Sequence, residues 1–394
     1  MAQAPAVRVS RRGAERLAAG HLWIYASDVA DRGEAQPGDA VKVVDARGRA
    51  LGTAHYSSSS QICLRLLSTE VEPIDRGFFL KRLAAARDYR RRVVSGTDAY
   101  RLVHAEGDLL PALIVDCYGD CVVVQTLDQG MERAKADVVA ALQELLAPRA
   151  ILERNDAPVR RREELPLQAG ALAGEAPERV QVRMNGLGFS VDLLTGQKTG
   201  LFLDQRENYL AAARYARGQA LDCFTSSGGF ALHVASRCET VEAVDSSAAA
   251  LALAEENRKA NRLENVAFRQ ASVFDLLSGY AAAGRRFSTV VLDPPAFARS
   301  RDTLEAAARG YKEINLRALR MLESGGVLVT CSCSQHLNEA EFLEIVASAA
   351  LDAGRRLRVL ERRTQAQDHP ILLTVPETHY LKCLILEVVG GGQA

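Results

Sequence analysis

From about residue 216 the chain alternates short apolar runs with longer amphipathic stretches. Runs near 219–222, 241–245, 266–270, 288–293 and 326–330 read as strands, each followed by a helix-period segment. That regular β-α-β-α order predicts an α/β fold with a doubly wound, mostly parallel, Rossmann-like sheet. Residues 380–389 read as one further strand. The first 70 residues have a different rhythm. Runs at 41–45, 50–55 and 62–67 are separated by the turn Gln36-Pro37-Gly38-Asp39, by Ala46-Arg47-Gly48 and by the polar loop Ser57–Ser60. Short strands with Gly-bearing turns predict a small β-barrel or meander. Between these parts, residues 75–95 and about 130–147 have helical spacing. Runs at 100–104, 113–116, 121–126 and 151–154 read as strands of an α+β module. The Ala-, Gly- and Glu-rich stretch 169–178 reads as a loop, and Asn185-Gly186 signals a hairpin within 179–191. The expected organisation is therefore three-part: 1–72, 73–180 and 181–394.

Composition narrows the class. The chain has 394 residues, enough for several domains, and no apolar run reaches the roughly 18–20 residues that span a bilayer. The N-terminal residues show no basic-then-apolar leader pattern. The eight cysteines show no CxxC spacing, so reduced thiols, no metal site and a cytoplasmic location are expected. Lys plus Arg equals Asp plus Glu, 49 each, so net charge gives no argument for nucleic acid. Arginines do cluster: Lys81, Arg82, Arg87 and Arg90–Arg92; Arg160–Arg162; and Arg355, Arg356, Arg358, Arg362 and Arg363. Each run reads as a solvated helix face, or as part of a phosphate-binding surface.

Candidate chemistry sits at predicted strand ends, where open α/β sheets bind ligands. Asp222-Cys223-Phe224-Thr225-Ser226-Ser227-Gly228-Gly229-Phe230 is strand, tight loop, helix start. Small residues there let the backbone approach a ligand. Asp245 follows Asp222 by 23 residues at the tip of the second strand, a position suited to ribose hydroxyls. Ser246 and Ser247 are also helix-cap candidates. Neither GxGxxG nor GxxxxGK[ST] occurs, so S-adenosylmethionine fits better than NAD or ATP. Ser272, Val273 and Phe274, after the third strand, would lie beside its adenine. The fourth strand ends in Asp293-Pro294-Pro295-Ala296-Phe297, and the fifth in Thr330-Cys331-Ser332-Cys333-Ser334. An acid and a thiol at neighbouring strand ends suggest covalent chemistry on a flat ring.

These motifs, in this order, resemble the RlmI-type 23S ribosomal RNA cytosine-5 methyltransferases over nearly the whole chain. Gly20–Tyr25 is similar to the family's N-terminal PUA domain. Ala105–Pro111 and Val115–Asp120 are similar to its central module. Gln197-Lys198-Thr199-Gly200-Leu201-Phe202-Leu203-Asp204-Gln205-Arg206 is similar to the entry into its catalytic domain. The resemblance implies a class I methyltransferase domain that transfers a methyl group from S-adenosylmethionine to C5 of a cytidine in large-subunit rRNA, and it makes a homodimer plausible. It implies cofactor contacts from Asp222, Phe224, Thr225, Ser226, Gly228, Gly229, Phe230, Asp245, Ser246, Ser272, Val273, Asp293 and Pro294. Gln197, Lys198, Phe202, Asp204 and Arg206 would fold over the methionine. Ser272 departs from the acid usual at that position.

In the implied reaction a cysteine adds to C6, C5 takes the methyl group, and loss of the C5 proton expels the thiol. A proton donor near N3 is required, and Asp293 is the candidate. Cys331 and Cys333 face the same way on an extended backbone, so spacing does not separate them. Thr-Cys-Ser enzymes would select Cys331 and the RlmI-type Ser-Cys-Ser would select Cys333. Two rivals stay open: methylation of an exocyclic amine on guanine or adenine, and a non-catalytic RNA-binding assembly factor. His21 and Trp23 read as packing residues of the small domain.

Overall fold

The computed structural model describes residues 4–196, 199–298 and 301–390. They divide into two units. One holds the chain up to Val182 with Val191–Leu201 and Gln367–Thr378; the other holds Arg183–Ser190, Phe202–Ala366 and the chain from His379.

The first unit contains two sheets. Six strands run in the order Trp23–Tyr25, Ile62–Ser68, Ala50–Tyr56, Ala40–Val44, Ala6–Val9, Val29–Asp31. Their inner faces bury Val7, Val9, Ile24, Val41, Val43 and Leu64. Five strands form the second sheet: Ala99–His104, Leu113–Tyr118, Cys121–Thr126, Ala150–Asn155 and Gln168–Gly174. Helices Arg76–Val93 and Lys135–Leu146 bury Phe79, Leu83, Val138 and Leu142 in the same core as Leu102, Val115 and Val124 of this sheet. The stretch expected to be a loop at 169–178 is largely a strand, antiparallel to Ala150–Asn155. Its Ala and Gly residues have weak β propensity, but an edge position needs only one ladder of partners.

Two arginines of the basic runs are structural. Arg90 is buried, with its guanidinium on both Asp108 oxygens and the Asp368 carbonyl. Arg160 is fully buried between the Thr126 carbonyl, Glu132 and Pro166. A buried guanidinium persists only with such partners. In the same unit Asp116 accepts from Arg101 at 2.8 and 2.9 Å and from Thr199 Oγ1 at 2.6 Å. The start of the 199–206 stretch is thereby fixed.

The second unit is built on a seven-stranded sheet: β1 (Gln219–Cys223), β2 (Thr240–Asp245), β3 (Val266–Gln270), β4 (Phe287–Leu292), β5 (Leu322–Ser332), β6 (Arg356–Arg363) and β7 (Lys382–Gly390). The order is β3-β2-β1-β4-β5-β7-β6. The first five are parallel, and β7 is antiparallel to both β5 and β6. Strands covered on both faces need continuous apolar runs, which β4 and β5 supply. Helices α1 (Arg206–Tyr215), α2 (Gly229–Val234), α3 (Ala248–Ala260), α4 (Val273–Ala282), α5 (Leu304–Met321) and α6 (Glu339–Asp352) complete it. Leu277 of α4, Tyr311 and Ile314 of α5 and Phe342 of α6 pack with Val290, Leu292 and Leu328 in one core. The third basic run is not a helix face. From Arg356 on it lies in the edge strand β6, with Arg358 on Glu387, Arg362 on Glu339 and Arg363 on Glu361. The Asn185-Gly186 turn has φ of 56° and 87°, the all-positive geometry of a type I′ hairpin.

Candidate active site

The strand order reverses between β1 and β4, so the crevice at their carboxyl ends is the expected ligand position. β1 ends in Asp222, which is buried. Its Oδ2 accepts from Thr225 Oγ1 at 2.6 Å and from the Ala231 N–H at 2.9 Å. Its Oδ1 is buried and has no hydrogen-bond partner among the described residues. Burial, with the Asp293 and Asp245 carboxylates adding repulsion, pushes the Asp222 carboxyl up to about 7. A cationic donor would satisfy both the empty lone pairs and the charge.

The loop after β1 is strained. Phe224 and Ser226 have φ of 66° and 51°, conformations that non-glycine residues rarely adopt. Two bonds to β2 hold it: Thr225 N–H to the Val244 carbonyl at 3.0 Å and Ser226 N–H to Asp245 Oδ2 at 2.9 Å. Gly228 closes the loop at φ 91°. At Gly229 a Cβ would stand 2.4 Å from the Tyr209 hydroxyl, so only glycine lets α2 start this close to α1. Asp245 takes one backbone N–H on each oxygen and keeps a lone pair on each for ligand hydroxyls. This donor set fits a ligand carrying an ammonium and a ribose.

The other predicted contacts divide. Ser246 and Ser272 are exposed beside these strand ends. Ser247, not Ser246, caps α3, accepting from Ala250 N–H at 3.2 Å. The Val273 side chain is in the sheet core. Phe230 is buried edge-on against Tyr209, with ring centres 4.7 Å apart.

The reactive pair lies one strand over. Asp293 follows β4, half-buried, and accepts from Gln205 Nε2 at 2.9 Å. Gln205 is itself held by Asn208 at 2.7 Å. The two thiols differ in burial. Cys331 is sealed, directly opposite Cys383 in the β5–β7 ladder. Burial and Cys383 push its thiol well above the ordinary range. Cys333, past the strand end, is half-exposed, with Sγ 3.9 Å from the Pro294 carbonyl oxygen. Ser334, fully buried, joins the two loops: its Oγ accepts from the Ala298 N–H at 3.1 Å and meets the Tyr311 hydroxyl at 3.0 Å.

Gln197 and Lys198 lie outside the described residues. Phe202 is half-buried. Asp204 is buried; Tyr380 donates to its carboxylate at 2.7 Å, and Ala366 N–H to its carbonyl at 2.8 Å. Arg206 is buried, and its carbonyl accepts from Asn185 at 2.8 Å. These bonds anchor the stretch, while Gln205 reaches Asp293. Tyr209, Tyr311 and Lys382 entered no sequence argument. Lys382 sits 49 residues after Cys333, and only the β5–β7 register brings it near.

Residues 7–69 match a family described as a PUA-like domain, and residues 137–385 match one described as S-adenosylmethionine-dependent methyltransferase. The ribosomal RNA large subunit methyltransferase I of Tolumonas auensis is 41% identical over 379 residues, covering 94% of this chain and 96% of its own. That of Erwinia tasmaniensis is 39% identical over 378 residues, with 94% and 96% covered. A solved structure described as a SAM-dependent methyltransferase from Streptococcus mutans superposes with a TM-score of 0.83 at 21% identity, over 98% of this chain and 100% of that one. That last likeness is one of fold.

Proposed function

Because the chain belongs to the S-adenosylmethionine-dependent methyltransferases, in the ribosomal RNA large subunit methyltransferase I family, we propose that it methylates C5 of a cytidine in 23S rRNA through Cys333. The observation that supports this reading most is the half-exposed Cys333 sulfur beside the Asp293-Pro294 turn, at the ends of adjacent parallel strands. When bound, S-adenosylmethionine supplies the electrophilic methyl group that an activated C5 takes. Asp222 is the proposed partner of its ammonium and Asp245 of its ribose. The backbone of Phe224–Gly229 forms the wall, with Ser246, Ser272 and Pro294 at the rim.

The Cys333 thiolate adds to C6 of the pyrimidine, and the electron pair of the C5–C6 bond becomes available at C5. Asp293, oriented by Gln205, donates a proton to N3 and so neutralises the charge that the ring gains. N3 returns its proton to Asp293 once C5 is methylated, and loss of the C5 proton to a base then restores the ring and expels Cys333. The target base must leave its stack, because C6 is attacked from above the ring plane. We read 1–72 as the PUA-like RNA-binding domain, 73–180 as the connector and 181–394 as the catalytic domain of a cytoplasmic protein.

An rRNA fragment carrying 5-fluorocytidine tests the reading, because fluorine at C5 blocks the last step. A denaturation-resistant adduct is expected with the wild type and with Cys331→Ala, and none with Cys333→Ala. Undiminished methylation without an adduct in the double variant would assign the exocyclic-amine reaction instead. Absence of methyl transfer to any rRNA would leave a binding protein.

A further inference from the structure

Lys382 is an almost fully buried lysine, 3% exposed, that the mechanism above does not use. It lies on β7 directly opposite Ser332 of β5. Its Nζ donates to the Ser334 carbonyl at 2.6 Å and to the Tyr380 carbonyl at 2.9 Å. Two of the three ammonium protons therefore go to neutral backbone oxygens. Taking an ammonium out of water for such partners alone is costly, which calls for a counter-charge. Cys333 immediately precedes the residue whose carbonyl Lys382 holds, so its sulfur, once ionised, is a counter-charge beside the ammonium, with Glu341 and Glu339 of α6 as the others. Those two acids have other engagements: Glu341 closes the Asn338 capping box, and Glu339 pairs with Arg362.

We propose that Lys382 is the positioning cation of the nucleophile turn: it pins the backbone that follows Cys333 and stabilises the Cys333 thiolate. This rests on Cys333 being the nucleophile. The proton leaving the thiol goes to water, which reaches the half-exposed sulfur, and Lys382 keeps its own. Among the described residues, the other groups placed against the turn carry no positive charge. They are Tyr311 of α5, with its hydroxyl on Ser334, the sealed thiols Cys331 and Cys383, and Asp293 across the crevice. His336 is exposed on the turn that follows. Burial draws Lys382 down to about 8, so its positive charge is present at neutral pH and fades above that value.

The test is iodoacetamide alkylation of the full-length protein, without cofactor or RNA. It is followed by mass spectrometry on the Cys333 peptide from pH 5.5 to 9.5. The other seven cysteines are buried, which favours a clean signal. The wild-type midpoint is expected below the ordinary thiol value of about 8.5. In Lys382→Met it should rise by about one unit, a roughly tenfold slower alkylation near pH 6.5. Lys382→Arg should keep most of the wild-type profile. Coincident profiles for wild type and Lys382→Met, with unchanged circular dichroism, overturn the proposal. So does a wild-type midpoint at the ordinary value, which decides the matter even if the Met variant does not fold. The 5-fluorocytidine adduct separates the two readings. An adduct that survives Cys333→Ala removes the nucleophile assignment, whereas a Cys333-dependent adduct with coincident alkylation profiles removes only the role of Lys382.

Discussion

Asp222 shows how one buried carboxylate can trade stability for binding. Its pKa of about 7 in the folded chain stands above the ordinary aspartate value of about 3.9. Between those two pH values the folded chain holds a proton that the unfolded chain has released. The contribution of this group to stability therefore falls as pH rises through that window, by on the order of a few kcal/mol. Above about pH 7 the folded protein carries a buried charge with an oxygen that no described residue satisfies. A ligand ammonium relieves that cost. Asp222→Asn is expected to flatten the decline in melting temperature between pH 5.5 and pH 8 and to weaken S-adenosylhomocysteine binding at least tenfold. Wild-type affinity should strengthen as pH rises through about 7, and the Asn variant should lose that dependence. Calorimetric titration at the two pH values checks both. Equal affinities for the two proteins would remove Asp222 from the cofactor site.

At the scale of elements, the contact between α1 and α2 is set by the missing side chain at Gly229. A Cβ there would stand within 2.5 Å of two Tyr209 atoms, Oη and Cζ, and Tyr209 is itself buried. Gly229→Ala should cost about 1–3 kcal/mol through overpacking and should weaken cofactor binding, because the strained loop ends on this helix. Tyr209→Leu removes the obstructing ring. Denaturant melts of the two single variants and the double variant should show a coupling of about 0.5–3 kcal/mol rather than additivity. The same scale explains what the sequence disclosed. Strands β1, β2, β4 and β5 were legible because each carries buried apolar residues inside the sheet, and the edge strand β3, with only Val266 buried, followed from the regular β-α-β order. Their order also placed Asp222, Asp245, Asp293 and the two thiols at one end of the sheet. β6 was not legible, because its alternation stops after Arg356-Leu357-Arg358-Val359, none of its residues is buried, and it obtains its order from β7. The Gln168–Gly174 strand was hidden for a related reason, since its Ala and Gly residues follow their neighbour rather than their propensity. Cys331 and Cys333 were inseparable by a period of two. Their difference comes from β7, which lays Cys383 over the first thiol and stops short of the second. Lys382 was invisible for the same reason: antiparallel pairing over a long separation leaves no local signal.

For the whole molecule, a formal charge of zero must be reconciled with the proposed RNA substrate. The basic runs are not uniform. Arg90 and Arg160 are interior cations of the first unit, and the arginines of β6 are largely matched by Glu387, Glu339 and Glu361. Arg91, Arg92, Arg161 and Arg162 are exposed, and of these Arg91 has only a loose pair with Asp88 at 3.5 Å. Affinity for a polyanion comes from cations that release counterions, not from those already neutralised inside the fold. Replacing these four by alanine should therefore weaken rRNA binding and make it less salt-sensitive. The slope of log affinity against log salt should fall by up to about 0.7–0.9 for each phosphate that is no longer neutralised, with little change in melting temperature. Arg160→Ala should do the opposite. It leaves the Thr126 carbonyl without its buried donor, while Glu132 keeps Lys135 and the Thr126 hydroxyl; it costs about 1–3 kcal/mol and leaves the salt slope of whatever protein remains folded unchanged. Filter binding at several salt concentrations, paired with thermal melts, reads both quantities. An unaltered slope in the fourfold variant would mean that the RNA is held by other groups, and that these arginines are no more than solvated surface.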